Sequence, residues 1–199
     1  LGAEHCHVKQ LRVQRQAFRE ERRELSEAEY RRLIAAARGR KDQRLYHVML
    51  TICTTGIRVS ELRFITAETL ASGRTEIRLK GKSRVVLLPR ELAQRLRQYA
   101  QARDIRSGPL FRTRTGMPLD RSNIWREMKT LCREAGVAPE KVFPHNLRHL
   151  FARSFYEQEK DLAHLADILG HSSIETTRIY VAVSTQVHEQ MLQRMRLIL

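Results

Sequence analysis

The feature that most constrains the fold is a short stretch in which apolar residues alternate with polar ones, between long stretches of helical period. Ile77 and Leu79 alternate with polar residues, Gly81 offers a turn, and Val85–Leu88 form a second β-rich run. Two such runs around a glycine predict an antiparallel hairpin. On both sides of this stretch the apolar residues recur with helical period. The sequence therefore predicts a mainly α fold with a small antiparallel β-sheet (α+β), and it places no third strand firmly.

Capping residues and glycines mark the expected helix ends. Ser26 with Glu29 forms a capping box, and Asp42 and Asp120 are expected N-caps of later helices. The helix after Asp120 is expected to run unbroken to Gly136. The remaining helices are expected near residues 59–64, 90–106, 147–158, 161–169 and 174–180, with a C-terminal helix through residue 197.

Length and composition fit one domain. The chain has 199 residues, of which 42% are hydrophobic, enough for a single well-buried core. Residues 1–24 are polar and show no clear apolar face, so we expect a linker or the tail of an upstream domain there. The folded domain is expected to span residues 25–199.

The charge of the chain indicates its partner. Lys and Arg total 37 against 22 Asp and Glu, a formal charge of +15 that is spread along the whole length. A folded body with a basic face favours a polyanion, and double-stranded DNA is the leading candidate. A membrane is disfavoured, because no basic amphipathic surface helix, apolar span or signal peptide stands out. Three scattered cysteines argue against a disulfide framework and fit a reducing cytoplasm.

Five separated residues suit one chemical task, the holding of a phosphodiester while an oxygen attacks it. They are Arg58, His145, Arg148, His171 and Tyr180. Two guanidinium forks can bind non-bridging oxygens and neutralise the extra charge of a pentacoordinate phosphorus. A tyrosine among cations ionises more easily, and an imidazole can relay its proton. The residues thus indicate phosphoryl transfer to tyrosine.

No metal or cofactor is expected for this reaction. The chain has no Asp/Glu cluster spaced for Mg²⁺ and no Walker-type glycine-rich loop. The triplet His5-Cys6-His7 is better explained as linker than as a zinc site, because three adjacent residues cannot converge on one tetrahedral ion.

The motifs around these residues resemble the tyrosine recombinases, which include phage integrases, conjugative-transposon integrases and Xer-type resolvases. The matching segments are Gly56–Leu62, His145–Ala152, Leu169–His171 and Tyr180, in the order and with the separations of that family. Each motif alone is modest, but the ordered set is specific. The resemblance covers roughly residue 25 to the C-terminus. It implies the DNA breaking-rejoining catalytic-domain fold, with residues 1–24 as a linker from a missing N-terminal core-binding domain.

The resemblance also implies a role for each residue. Arg58 and Arg148 correspond to phosphate-clamping arginines, and His145 and His171 to histidines that bond the scissile phosphate and handle the tyrosine proton. Tyr180 corresponds to the nucleophile, which gives a 3′-phosphotyrosine link and a free 5′-hydroxyl. Because the phosphotyrosine ester keeps the bond energy of the broken phosphodiester, ligation needs no ATP.

Two further positions follow from the same resemblance. The family uses a hairpin lysine as general acid for the 5′-oxygen; Lys80 is our choice, and Lys82 is the alternative because the turn is short. Glu61 resembles a supporting carboxylate. Several of these residues also have a plainer interpretation. The lysines could be edge-strand charges, Tyr180 a core aromatic, His171 and His145 helix caps, and Arg58 a surface charge at a helix end.

The expected function is integration or excision of a mobile element in a bacterial cytoplasm. The alternatives are Xer-type chromosome or plasmid dimer resolution, relaxation of the type IB topoisomerase kind, and a non-catalytic basic DNA-binding module. By analogy with the family, we expect a homotetramer on DNA that exchanges its C-terminal helix between protomers; otherwise that helix folds back on its own core. Accessory DNA-bending or excision factors are possible partners.

Overall fold

A computed structural model describes residues 24–79, 81–113, 115–171 and 173–178. Within these ranges the fold is mainly helical with one two-stranded antiparallel sheet, as expected. The predicted C-terminal helix lies outside the described residues. The elements are α1 Glu27–Gly39, α2 Arg44–Thr55, a 3₁₀ helix Val59–Phe64, α3 Thr69–Ser72, β1 Arg74–Leu79, β2 Lys82–Leu87, α4 Arg90–Ala102, α5 Arg121–Lys129, α6 Cys132–Ala135, a 3₁₀ helix Pro139–Lys141, α7 Pro144–Glu159, α8 Leu162–Leu169 and α9 Ile174–Arg178.

Two of the expected helix starts are confirmed. The Ser26 hydroxyl accepts from the Glu29 backbone N–H at 3.1 Å, and the Glu29 carboxylate accepts from the Ser26 N–H at 2.8 Å. The Asp120 carboxylate accepts from the Asn123 N–H at 2.7 Å and begins α5. Each bond satisfies a backbone donor that has no partner inside its helix.

Two details of the helix predictions were wrong. The N-cap of α2 is Gln43, because the Asp42 carboxylate accepts instead from the Arg44 N–H, only two residues on. The helix expected from Asp120 to Gly136 is split into α5 and α6. At the break the Thr130 N–H and hydroxyl both donate to the Glu127 carbonyl, and this short-range bonding tightens the chain.

The hairpin places one charged residue against the body of the domain. Ile77 of β1 pairs with Arg84 of β2, so both side chains lie on the same face of the sheet. On that inward face Ile77 and Val86 are buried, whereas Val85 and Leu87 on the outer face are exposed. Arg84 therefore points toward the core side of the hairpin.

The core is organised around α2, which packs against α1, α4, α5 and α7. A smaller apolar cluster lies between α7 and α8. Gly56 ends α2 in the left-handed region, with φ of 63°, and a Cβ there would lie 2.5 Å from Phe151 and 2.9 Å from Leu169. Glycine thus lets the end of α2 meet α7 and the end of α8.

Candidate active site

The site is built on the C-terminal end of α8. Gly170 ends that helix with φ of 63°, and its N–H donates to the Asp167 carbonyl at 3.0 Å. The next N–H, of His171, reaches back to the Ala166 carbonyl at 2.9 Å, which completes a Schellman motif. The carbonyls of residues 168, 169 and 170 accept no bond from within the helix, so they can accept from side chains.

Three arginines from three different parts of the fold donate to these three consecutive carbonyls. A helix C-terminus carries partial negative charge and favours cations. We call Arg58, Arg84 and Arg148 the arginine cluster. The bonds are Arg84 Nη1 to Ile168 at 2.5 Å, Arg148 Nη2 to Leu169 at 2.8 Å and Arg58 Nη2 to Gly170 at 3.3 Å.

Glu61 is the carboxylate of the cluster and is only 2% exposed. It accepts from Arg58 Nη1 at 3.0 Å, from the Arg58 backbone N–H at 2.9 Å and from Arg84 Nη2 at 2.5 Å. Burial acts to raise the pKa of Glu61, but the Arg58 N–H and the Arg84 charge outweigh it and hold the pKa below its usual range. Glu61 is therefore ionised, and three guanidiniums against one carboxylate leave the cluster positive.

Arg148 joins the ends of two helices. Its Nη1 donates to the Gly56 carbonyl at the end of α2, while Nη2 donates to Leu169 at the end of α8. Arg148 is buried, at 3% exposure. A buried cation held by carbonyl oxygens is a fixed positive charge in a region of low dielectric, where its field acts strongly.

His171 is held between Arg148 and a buried hydroxyl. Its Nε2 lies 3.1 Å from Arg148 Nη2, and its Nδ1 lies 2.8 Å from the Thr177 hydroxyl oxygen of α9. Because a guanidinium only donates, Nε2 accepts in this pair, and Nδ1 carries the ring proton and donates to Thr177. This is the neutral imidazole.

The surroundings of His171 keep it neutral. Its pKa is lowered to about 4, first by burial and then by neighbouring positive charge. The neighbours that lower it are Arg148, Arg58 and Arg84, and the smallest contribution comes from His145. At pH 7 the imidazole is therefore a proton acceptor among cations.

His145 lies beside this group on the first turn of α7. Its ring meets that of His149 edge-on, with centroids 4.4 Å apart. His149 is buried.

The structure thus brings together Arg58, Glu61, Arg148 and His171, with His145 adjacent. The other predicted positions are less defined. Tyr180 and Lys80 lie outside the described residues, and Lys82 is placed in β2 by its backbone, with its side chain not described. Their predicted roles stay predictions.

Two residues of the site were not found from the sequence, Arg84 and Thr177. Arg84 could have been found, because it alternates in phase with Val86 and Leu88, the inward positions of the hairpin. Thr177 carries no such signal, since its contact with His171 depends on the turn between α8 and α9.

The arrangement suits binding of an anion. Among the described residues no group of three or more His, Cys, Asp or Glu could hold a metal ion. Arg58 is 41% exposed, so it presents the positive cluster to solvent. Fixed guanidiniums beside a neutral imidazole are suited to a phosphodiester whose charge increases during reaction. In the described part of the chain, no helix is long and apolar enough to cross a membrane.

Fold and site together define the class of the tyrosine recombinase catalytic domains. The chain belongs to the phage integrase family, which matches residues 23–187. It is 35% identical to the tyrosine recombinase XerA of Thermococcus kodakarensis over 154 residues, 74% of this chain and 53% of that protein.

Solved structures give the same result. The crystal structure of XerA recombinase superposes with a TM-score of 0.72 at 32% identity, covering 87% of this chain and 63% of that one. The XerH recombinase in a pre-cleavage complex with its difH substrate superposes with a TM-score of 0.71 at 26% identity. The match covers 85% of this chain and 53% of that one. The chain spans about half the length of the curated relatives it matches.

Proposed function

We propose that this chain is the catalytic part of a site-specific recombinase that cuts and rejoins double-stranded DNA through a 3′-phosphotyrosine intermediate at Tyr180. One observation carries the proposal: three guanidiniums converge on the end of α8 with a single carboxylate among them. A scissile phosphate is the anion that this excess of charge would receive, and the relative XerH is described in complex with its DNA substrate.

In the proposed reaction the Tyr180 oxygen attacks the scissile phosphorus, the P–O5′ bond breaks, and a 3′-phosphotyrosine ester forms. Arg58 and Arg148 neutralise the charge that develops on the non-bridging oxygens. Lys80, or Lys82 as the alternative, gives a proton to the leaving 5′-oxygen. Attack by a 5′-hydroxyl of the partner strand reverses these steps and releases the tyrosine, so no ATP is consumed.

His145 and His171 are assigned to the phosphate and to the tyrosine proton. A neutral imidazole can accept the proton of a phenol, and the low pKa of His171 keeps it neutral at pH 7. In the transition state, extra negative charge develops on the phosphate oxygens beside His171. That charge favours the protonated imidazolium form. The nitrogen that would take up the proton is Nε2, which accepts from Arg148 in the DNA-free chain and would have to exchange that partner for the phenol.

The proposed setting is a bacterial cytoplasm, where the enzyme acts as a homotetramer on DNA with C-terminal helices exchanged between protomers. Integration or excision of a mobile element is the first proposed role. Xer-type dimer resolution is the second, and the names of the similar recombinases favour it. The two roles differ in substrate: resolution joins identical sites on one molecule, whereas integration joins two different sites. Accessory DNA-bending factors would be needed only for some of these reactions.

The test is the covalent intermediate itself. The protein is incubated with a library of nicked duplexes that carry a randomised segment beside the nick, and covalently trapped strands are separated on denaturing gels and sequenced. We expect protein on a 3′ end, indifferent to EDTA and absent from Tyr180→Phe. Phe keeps the aromatic volume and removes only the nucleophile.

The rival functions give different products. Relaxation of supercoiled plasmid without recombinants between two trapped sites would indicate a type IB topoisomerase. DNA binding that falls steeply with salt, without any covalent adduct, would indicate a binding module.

A further inference from the structure

We propose that Arg84, on the hairpin strand β2, is a positioning residue that holds Glu61 and the end of α8 in the geometry in which Arg58 meets the scissile phosphate. This inference rests on the proposed function and adds to the recombinase site a residue outside the predicted set.

Arg84 is the link between three parts of the fold. One nitrogen donates to the Ile168 carbonyl at 2.5 Å and the other to the Glu61 carboxylate at 2.5 Å. The hairpin, the 3₁₀ helix Val59–Phe64 and the C-terminal end of α8 are therefore tied by one guanidinium. A planar fork suits this task, because two acceptors fix both its position and its plane.

The side chain of Arg84 is packed as well as bonded. A Cβ on Gly170 would overlap its Cδ and lie 2.8 Å from its Nε, so the chain lies directly on the helix end. Its Nε is buried without an acceptor among the described residues. An unsatisfied buried donor is destabilising, so stability alone gives little reason for an arginine here.

Exposure separates Arg84 from Arg58. Both arginines have their two terminal nitrogens bonded to protein, but the Arg84 side chain is 12% exposed and that of Arg58 is 41% exposed. Arg58 therefore faces an incoming phosphate, and Arg84 acts through Glu61.

The contacts of the Glu61 carboxylate explain how Arg84 affects the position of Arg58. One oxygen of Glu61 accepts from the Arg58 guanidinium, and the other accepts from Arg84 and the Arg58 backbone N–H. Without Arg84, the second oxygen loses its main charged partner and becomes available to the Arg58 side chain. A two-point pair with Glu61 would draw the Arg58 guanidinium away from the phosphate.

The experiment measures the rate of covalent complex formation in a single turnover for Arg84→Ala, Arg58→Ala and the double variant. We expect Arg84→Ala to slow the step about 100-fold, the effect of a misplacement of about 1 Å, with DNA affinity nearly unchanged. Arg78→Ala removes an exposed arginine from the same hairpin and is the matched control; it should leave the rate unchanged.

The double variant tells positioning from general damage to the fold. If Arg84 acts through Arg58, removing it from Arg58→Ala causes little further loss. If the double variant loses rate by the product of the two single losses, the proposal is wrong. A normal rate in Arg84→Ala would overturn it as well.

A second readout needs no cleavage. In the DNA-free protein, NMR titration of His171 should show a higher pKa in Arg84→Ala than in the wild type and no change in Arg78→Ala. An unchanged His171 titration overturns the positioning role. Absence of a covalent complex in the wild type, together with the shifted titration, would reject the proposed function while retaining Arg84 as a charged neighbour of His171.

Discussion

Two helices of this domain end in the same way and serve different purposes. Both α6 and α8 stop at a glycine in the left-handed region, Gly136 with φ of 59° and Gly170 with φ of 63°. At α6 one arginine, Arg32 of α1, covers the last two carbonyls at 2.9 and 3.3 Å. At α8 three arginines and a histidine gather. The local stop signal is identical, so the function of the second end comes from distant residues.

The surroundings of the two glycines show the difference directly. A Cβ on Gly136 would meet nothing within 4 Å, whereas one on Gly170 would overlap Arg84. The end of α6 has open space beside its glycine. The carbonyls at the end of α8 hold three arginines in position. Two predictions test this contrast, and a third tests the histidine at the end of α8.

The largest effect is expected from the arginines that cover each end. Arg148→Ala leaves the carbonyls of Gly56 and Leu169 without a buried donor and removes a fixed charge, so covalent complex formation should fall by about 1000-fold. Arg32→Ala, the matched change at α6, should leave that rate within about twofold and cost about 1 kcal/mol of stability. Single-turnover cleavage and urea unfolding measure the two quantities. Equal losses of cleavage would contradict the contrast.

A smaller effect is expected from the glycines themselves. Gly136→Ala meets only the strain of a left-handed alanine, about 1 kcal/mol. Gly170→Ala meets that strain and must also displace Arg84, so it should slow cleavage about 100-fold and reduce stability further. Urea unfolding of both variants at pH 7 gives the stability difference. Similar cleavage rates in the two variants would show that the Arg84 contact does not matter.

The smallest effect concerns pH. His171 has a folded pKa of about 4 against an ordinary value of 6.5, so between these values the unfolded chain binds a proton that the folded chain does not. Its contribution to stability is complete above pH 6.5 and declines as pH falls toward 4. In His171→Asn, the fall of the melting temperature over this range should be shallower. Buried His47 has a lowered pKa as well and supplies part of the remaining slope; a slope unchanged by the substitution would argue against the lowered His171 pKa.

The sequence was sufficient for most of the fold because the signals there are local. Capping residues such as Ser26 and Asp120, and the alternation around Gly81, each act within a few residues. The errors came where two local signals competed. At Thr130 a hydroxyl bond to the preceding turn overrode an unbroken helical period.

The sequence predicted only those site residues that lie within the family motifs. The ordered segments containing Arg58, Arg148 and His171 indicated phosphate chemistry, and the structure places them together. The carbonyls to which they bind could not be predicted, since any helix end offers carbonyls and only packing decides which are used. Arg84 was not predicted, because the family resemblance points to a lysine in this hairpin, although the alternation of the strand places Arg84 on the inward face.

The dependence of the cluster on the carbonyls of residues 168–170 has a consequence for synthesis of the protein. Arg58 and Arg84 leave the ribosome long before the residues that organise them. A nascent or truncated chain that ends before α8 thus carries basic residues but no organised phosphate clamp. If the chain has the proposed function, such a nascent chain binds DNA without cutting it, and cutting begins only after nearly the whole domain has been made and folded.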